Sequence, residues 1–495
     1  MVLVYPETDL LWGSFVPLGL CQLGTHLETG GIRVEVVDRR WHTDEYLALK
    51  VKEADIVGFT TTTLYVDEIF RLAALCKGIN REVKVVLGGP HPSVAPTECL
   101  SNASVDFVVF GEGEVTMLEL ARGKALEGIR GLAYKLDDGV RVNKPRPPIE
   151  DLDQIPIADR DLFPLQRMLR LPPFSIPIAP YPYTNMISSR GCPYNCLFCQ
   201  PTLRTLFGGV VHRRSPEKVV DEFQYLREKH GVKCISMQDD LFLQNKKWIS
   251  AVCGELRRRG IHDEVVWDCQ SRADTFDEET AKEIKKSGCY LVFFGIESFS
   301  QSVLDRLRKG TTVQQNIDAL RLCKRLGLVA VSQIMIGNPF ETEMDVLTTA
   351  KHLLEVDPDI IWIANTTPMP GTDLYEYCRA HRLLISEKMG NIGIRAFTGK
   401  PKIHLSYSIE LIDKVVRERQ RTGIDPKLLL HSYYRAACVR RFKCHIEHRN
   451  VQALFADLAY TEPVRRLGRK LLSHREVADA ERKLHERLFG KRRKK

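Results

Sequence analysis

Three cysteines, Cys192, Cys196 and Cys199, stand in the stretch SSRGCPYNCLFCQ with the spacing CxxxCxxC. With 14 cysteines in 495 residues, such a spacing arises by chance in about 1% of chains, so it calls for a chemical reason. Soft thiolates this close together bind metal. A structural zinc site needs four ligands in a closed tetrahedron, commonly as two CxxC-like pairs, and no second pair follows at that spacing. The tail segment CVRRFKCHIEH, with Cys438, Cys444, His445 and His448, matches no standard zinc pattern. A redox CxxC would use two of the thiols and leave Cys192 without a role. An iron–sulfur cluster fits better, and three thiolates on a four-iron cluster leave one iron open to an external molecule.

The remaining cysteines read differently. Cys21, Cys76, Cys234, Cys253, Cys289 and Cys323 are isolated on apolar runs and are expected to be small core residues. The chain has no run of 18 apolar residues, and MVLVYP enters a strand-like segment without the marks of a secretory leader. The expectation is a cytoplasmic protein with reduced thiols, peripheral to a membrane at most.

The elements that must carry this loop form two alternations. VLVYP (2–6), VEVVD (34–38), DIVGFT (55–60), VKVVLGG (83–89) and FVVFGE (107–112) are Val-rich runs separated by helix-like stretches, the pattern of a parallel sheet buried on both faces. In such a Rossmann-like sheet ligands lie beyond the carboxyl ends of the strands. Those positions hold Pro17, Leu18 and Gly19, Thr60 and Thr61, Gly88 and Gly89, and Gly111, Glu112 and Gly113. Ten of the 25 prolines then fall between Pro145 and Pro182, which predicts an extended linker on the surface. A second alternation follows, with expected strands at 186–189, 232–238, 265–271, 290–296, 328–335 and 359–366. Six β/α repeats of this kind predict a partial parallel barrel with its chemistry at the carboxyl rim, and the cysteines directly follow its first strand.

The expected fold is therefore α/β: a Rossmann-like domain over 1–145, a Pro-rich linker over 146–183, a partial (β/α)6 barrel over 184–385 and a mainly helical basic region over 386–495. Residues 401–495 carry 24 Lys and Arg against 11 Asp and Glu, a net of +13, so the first 400 residues carry −4 of the total +9. A tail of this charge suits an anionic lipid surface or an acidic protein. No aromatic interleaving favours nucleic acid.

The CxxxCxxC loop after the first strand of a β/α barrel resembles the radical S-adenosylmethionine superfamily. The resemblance implies a 4Fe-4S cluster on Cys192, Cys196 and Cys199. It also implies S-adenosylmethionine on the open iron, cleaved to a 5′-deoxyadenosyl radical by an electron from an external one-electron reductant. Phe198 would pack beside the cluster and Glu297, in FGIES, would face the ribose. Arg272 and Asp239, with the neighbouring Asp240, would position the methionine end or the substrate, and Gly337 in IGNPFET follows the fifth strand. The structural alternative for the acidic residues is capping of the next helix.

PLGLCQLGTHLETGGIRVEVVD, VGFTTTT, VVLGGPHPSVAPTECL and VDFVVFGEGEVTMLEL resemble the cobalamin-binding domain that precedes this barrel in one large subfamily. Gly-rich strand ends let backbone approach a bulky ligand, and threonine hydroxyls can hydrogen-bond to it. The histidine motif DxHxxG is absent, and DRRWHT at 38–43 has the wrong spacing, so neither His42 nor His91 is expected to ligate cobalt.

The family resemblance implies an oxygen-sensitive enzyme that methylates an unactivated carbon, or alternatively a cyclase or carbon–carbon coupling enzyme acting on a lipid or tetrapyrrole. A methylthiotransferase would need three further cluster cysteines in the first domain, where only Cys21, Cys76 and Cys99 occur, far apart. A non-catalytic sensor is the remaining class. The substrate, whether a peptide or protein side chain, a lipid or a small natural product, is not written in the sequence, and no catalytic residue is assigned.

Overall fold

The computed structural model describes residues 1–7, 15–170, 179, 180 and 182–384. The expectations for the basic tail, including its helices and the Cys438 to His448 segment, lie outside the described residues.

The first sheet has seven strands in the order β2-β1-β3-β4-β5-β6-β7. They are β1 Val2–Tyr5, β2 Glu35–Asp38, β3 Ile56–Thr60, β4 Lys84–Gly88, β5 Phe107–Val109, β6 Leu132–Leu136 and β7 Gly139–Val142. The first five are parallel. Their alternate residues feed two cores: Leu3, Val86 and Val109 on one face, and Val4, Val57, Phe59, Val85 and Leu87 on the other. This two-sided burial is why the strands read as unbroken apolar runs. The antiparallel pair β6 and β7 was not expected. All four residues of β7 are exposed, so no apolar periodicity marks it.

The second sheet has six parallel strands in chain order: β8 Tyr183–Met186, β11 Cys234–Met237, β12 Val266–Ser271, β13 Cys289–Glu297, β14 Val329–Ile336 and β15 Ile360–Asn365. It is a partial barrel whose outer face packs on helices: Ile235, Trp267, Val292 and Ala330 share a core with Val220, Phe223, Val252 and Ile284. The first strand begins and ends three residues earlier than expected. Ser188 and Ser189 leave the ladder because their hydroxyls turn to Asp239. Ser189–Arg190 forms β9, which pairs instead with β10, His212–Arg213.

Part of the Pro-rich connection, within residues 152–169, does not run over the surface. Ala158, Phe163, Leu165, Met168 and Leu169 are buried in the core shared by both sheets, and Arg160 is fully buried against Glu222 at 2.7 Å. Apolar residues between the prolines form a wedge, and proline tolerates this because an extended segment outside a sheet owes no ladder hydrogen bonds. A second tie crosses the junction where Val16 N donates to Asn185 Oδ1 and Asn185 Nδ2 donates to Val16 O. No helix of the described residues is long and apolar enough to cross a membrane.

Candidate functional site: a thiol loop facing a glycine-lined sheet edge

The cysteine loop leaves β9 through Gly191, whose φ is +95° and whose missing Cβ would run into the Val210 carbonyl oxygen. Only glycine fits that turn. The loop is then pinned from both sides. Leu197 N donates to Leu307 O at 2.9 Å, Leu374 N to Leu197 O at 3.0 Å and Asp373 N to Gln200 O at 2.8 Å. Cys196 is buried, while Cys192 and Cys199 are half-buried. Burial raises the Cys192 thiol and pushes that of Cys199 up to about 12, so bare thiolates are disfavoured here and a bound cationic group would stabilise them. Among the described residues no three Cys, His, Asp or Glu converge closely enough to share one ion. Three thiols on one loop are a donor set that fits an iron–sulfur cluster.

Positive charge is placed beside the thiols. Arg272 Nη1 lies 3.8 Å from Cys196 Sγ, and its guanidinium sits 3.5 Å from the centroid of the Tyr194 ring. Asp274 grips it from the other side with bonds of 2.9 and 3.0 Å, and it donates to Lys309 O at 2.6 Å. Phe198 packs against the buried cluster of Leu197, Leu374 and Cys378, and the Lys309 ammonium lies 5.8 Å from its ring centroid.

Glu297, at the end of β13, has a φ of +62°, an uncommon conformation for a residue with a side chain. Its Oε1 accepts from Lys309 Nζ at 2.8 Å, both groups being buried. Gly295 makes room for them, since a Cβ there would lie 2.8 Å from both atoms. Gly337 has a φ of +81°, and its amide donates to Glu341 Oε2 at 2.6 Å. Asp239 is turned differently. Its carboxylate accepts from Ser188 Oγ at 2.8 Å, Ser189 Oγ at 2.5 Å and Ser188 N at 3.1 Å, so it holds the turn that leads into the thiol loop. Burial still pushes its carboxyl up to about 6. Asp240 accepts from the Gly191 amide at 3.2 Å.

The predicted strand ends of the first sheet also meet. Thr61 N donates to Gly88 O at 2.8 Å, and His91 N to Thr61 O at 3.2 Å. Gly89 has a φ of +106°, and a Cβ would stand 3.0 and 3.1 Å from the Thr61 backbone. Gly111 has a φ of +76° and open space where a Cβ would be; its amide donates to Ser93 Oγ at 3.0 Å. Among the described residues Thr61 Oγ1 is buried with no hydrogen-bond partner, an orphan polar atom at the sheet edge that a ligand can satisfy. Gly19 is exposed with open space beside it, next to Pro17 and Leu18 at the start of the helix Leu18–Thr29. His91 is buried, its Nδ1 is 3.2 Å from Thr63 Oγ1, and burial drops its pKa to about 4. His42 Nδ1 accepts from the Asp38 amide at 3.1 Å, which is a structural use.

Glu112 is not free to reach a ligand. Its Oε2 accepts from Ile149 N at 2.6 Å and its Oε1 from Arg190 Nη1 at 2.5 Å. Arg190 Nη2 also donates to Glu114 Oε1 at 2.6 Å. This buried fork ties the GEGE loop of the first sheet to the residue two before Cys192. A second contact joins the same two regions: the helix Pro90–Val94 packs on the helix Thr202–Phe207, and Thr202 Oγ1 donates to Gly371 O, whose Cα faces Val94. The glycine-lined edge and the thiol loop thus open toward one junction. Sequence reasoning missed Lys309, Tyr194, Gly295 and Arg190. Tyr194 and Arg190 lie inside the quoted cysteine stretch, whereas no spacing in the sequence marks Lys309.

The fold sets a thiol-bearing loop on a partial β/α barrel beside the glycine-lined edge of a parallel sheet, and comparison with known proteins identifies both parts. The family model of the radical SAM superfamily matches residues 186–353, and that of the B12 binding domain matches residues 12–121. An uncharacterized methyltransferase of Pyrococcus horikoshii is 36% identical over 78% of this chain and 84% of its own. The anaerobic magnesium-protoporphyrin IX monomethyl ester cyclase of Rubrivivax gelatinosus is 30% identical over 74% of this chain and 66% of its own. The radical S-adenosylmethionine methyltransferase TsrM from Kitasatospora setae, solved with cobalamin and a 4Fe-4S cluster, shares the fold with a TM-score of 0.65 at 21% identity, over 78% of both chains. This chain belongs to the radical SAM superfamily, as a member with an N-terminal B12 binding domain. Its cofactors are a 4Fe-4S cluster, S-adenosylmethionine and cobalamin.

Proposed function

We propose that this enzyme is a cobalamin-dependent radical S-adenosylmethionine methyltransferase acting on an unactivated carbon. The observation that carries the reading is the shared junction, where the Gly88–Gly89 edge and the Cys192–Cys199 loop are joined through Arg190 and through Val94, Gly371 and Thr202. When bound, the cofactors would supply one-electron cleavage of S-adenosylmethionine and a transferable methyl group.

The chain's own residues divide the work. Cys192, Cys196 and Cys199 would hold the cluster. Arg272, Glu297 with Lys309, Phe198 and Gly337 would fix S-adenosylmethionine, and Asp239 would act through Ser188 and Ser189 as a positioning residue. Pro17 to Gly19, Thr60, Thr61, Gly88, Gly89, Gly111 and Gly113 would receive cobalamin, largely through backbone; Glu112 would contribute only its main chain. Arg272 and Lys309 would place positive charge beside the thiol loop, which suits the negative charge of a thiolate-held cluster. The partners would be an external one-electron reductant and a substrate entering at the junction.

The test is anaerobic reconstitution followed by gel filtration with supplied hydroxocobalamin. Retention near one equivalent, with base-off cobalt in the EPR spectrum, is expected, and turnover should form both S-adenosylhomocysteine and 5′-deoxyadenosine. A clean cluster with no retained cobalamin overturns the reading. The Rubrivivax relative supports a cyclase as the second reading; a product with no added methyl mass selects it.

A further inference from the structure

The inner face of the second sheet, opposite its helices, continues below Arg272 and Glu297. Along β12 the alternation places Val266, Asp268, Gln270 and Arg272 on that face. Register pairs Gln270 with Phe293 and Gln333 with both Gly295 and Trp362. Phe293 belongs to the inner cluster with Tyr183, Cys234, Leu291 and Val331. Gln238 follows β11 on the same face, its Nε2 donating to Ser236 Oγ at 2.7 Å. By register Gln238 and Gln270 stand one step below Arg272, whereas Gln333, across from Gly295, stands at the level of Arg272 and just below Glu297; all three carboxamides are partly exposed. Among the described residues the side chains of Gln270 and Gln333 have no hydrogen-bond partner.

The rest of this face is neutral. The inward residues of the six strands below Arg272 include no Lys, Arg or His. The one acid, Asp268, is fully buried; Ser236 Oγ donates to its Oδ1 at 2.5 Å and, among the described residues, its Oδ2 has no hydrogen-bond partner. Burial pushes its carboxyl up to about 8, so it carries a proton at neutral pH. Phe293 and Trp362, with ring centroids 5.2 Å apart, give the cup an aromatic wall.

We propose that this cup recognises its substrate by an uncharged hydrogen-bonding group, a carboxamide or hydroxyl on an apolar body, held by Gln270 and Gln333. A glutamine amide both donates and accepts, so it completes a neutral polar group. A carboxylate would meet no cation there and an ammonium no anion, and each would lose its hydration without compensation. The assignment rests on the reading of the junction as a radical enzyme's active site, since it places the substrate beside and beneath the residues given to S-adenosylmethionine.

The experiment compares phenylacetamide, phenylacetate and phenethylamine by saturation-transfer NMR on the anaerobic holoenzyme with its cluster intact. Phenylacetamide should bind roughly tenfold more tightly than either charged probe. The Gln270→Leu, Gln333→Leu double variant should lose that preference, and Gln333→Glu should move it toward phenethylamine. The second variant keeps the test valid where the double one fails to fold. A preference for a charged probe, an amide preference that survives the double variant, or no transfer from the amide to the wild-type holoenzyme overturns the assignment. No methyl group moves in this measurement, so its failure is separable from failure of the methyl-transfer reading.

Discussion

The strand ends of the first sheet present backbone and neutral side chains, Thr61, Gly88, Gly89 and Gly111, whereas those of the second present thiols, a guanidinium and a buried Lys309–Glu297 pair. Each choice suits its cargo. A broad, bulky ligand is held by many shallow contacts, so space and orphan polar atoms count for more than charge. A charged cluster and a zwitterionic cofactor need compensating ions in a dry site, so side chains decide. The two halves meet at Arg190, which lends its charge to the first sheet's Glu112 and Glu114 while standing two residues before the first thiol.

The strongest way to break this contrast is to remove the thiols alone. Replacing Cys192, Cys196 and Cys199 by Ala should abolish the broad iron–sulfur absorption and all 5′-deoxyadenosine formation while leaving cobalamin retention intact. A four-iron cluster in the triple variant would refute the ligand assignment.

Arg190→Met attacks the joint between the halves. Burial pushes the Glu114 carboxyl up, and Arg190 outweighs it and holds that carboxyl below the usual range. Stranding two buried carboxylates should cost about 3–5 kcal/mol in chemical denaturation. The same variant with Glu112→Gln and Glu114→Gln should recover much of that loss. If the single variant unfolds like the wild type, the fork is not a structural joint.

The smallest effect sharpens the contrast by sign. His91, folded near 4 against an ordinary 6.5, holds fewer protons than the unfolded chain between those values, so its contribution fades as pH falls from about 6.5 to about 4. Asp268, folded near 8 against 3.8, holds a proton that the unfolded chain has released, so its contribution fades as pH rises from about 4 to about 8. Denaturation profiles across pH should therefore flatten on the acid side in His91→Asn and on the alkaline side in Asp268→Asn. Parallel profiles for both variants and the wild type would contradict these buried states.

What could be read from the chain alone was local. Three thiols fall within eight residues, so their joint chemistry survives without knowledge of the fold. The Val-rich runs of both sheets announce themselves because a strand buried on both faces has little polar interruption. The glycines at 88, 89 and 111 follow from the rule that ligands lie beyond the carboxyl ends of parallel strands.

The tertiary structure decided what depends on register and distance. Lys309 reaches Glu297 across 12 positions, and Arg190 reaches Glu112 and Glu114 across 78 and 76. No spacing rule links such partners, because only the packed sheets bring them together. It turned Glu112 from a ligand contact into half of a joint, Asp239 into the anchor of a turn, and residues 152–169 of the Pro-rich connection into a partly buried wedge. It also aligned Gln270 and Gln333 on one inner face, since a strand's side chains alternate and a shift of one residue would have sent both amides among the helices.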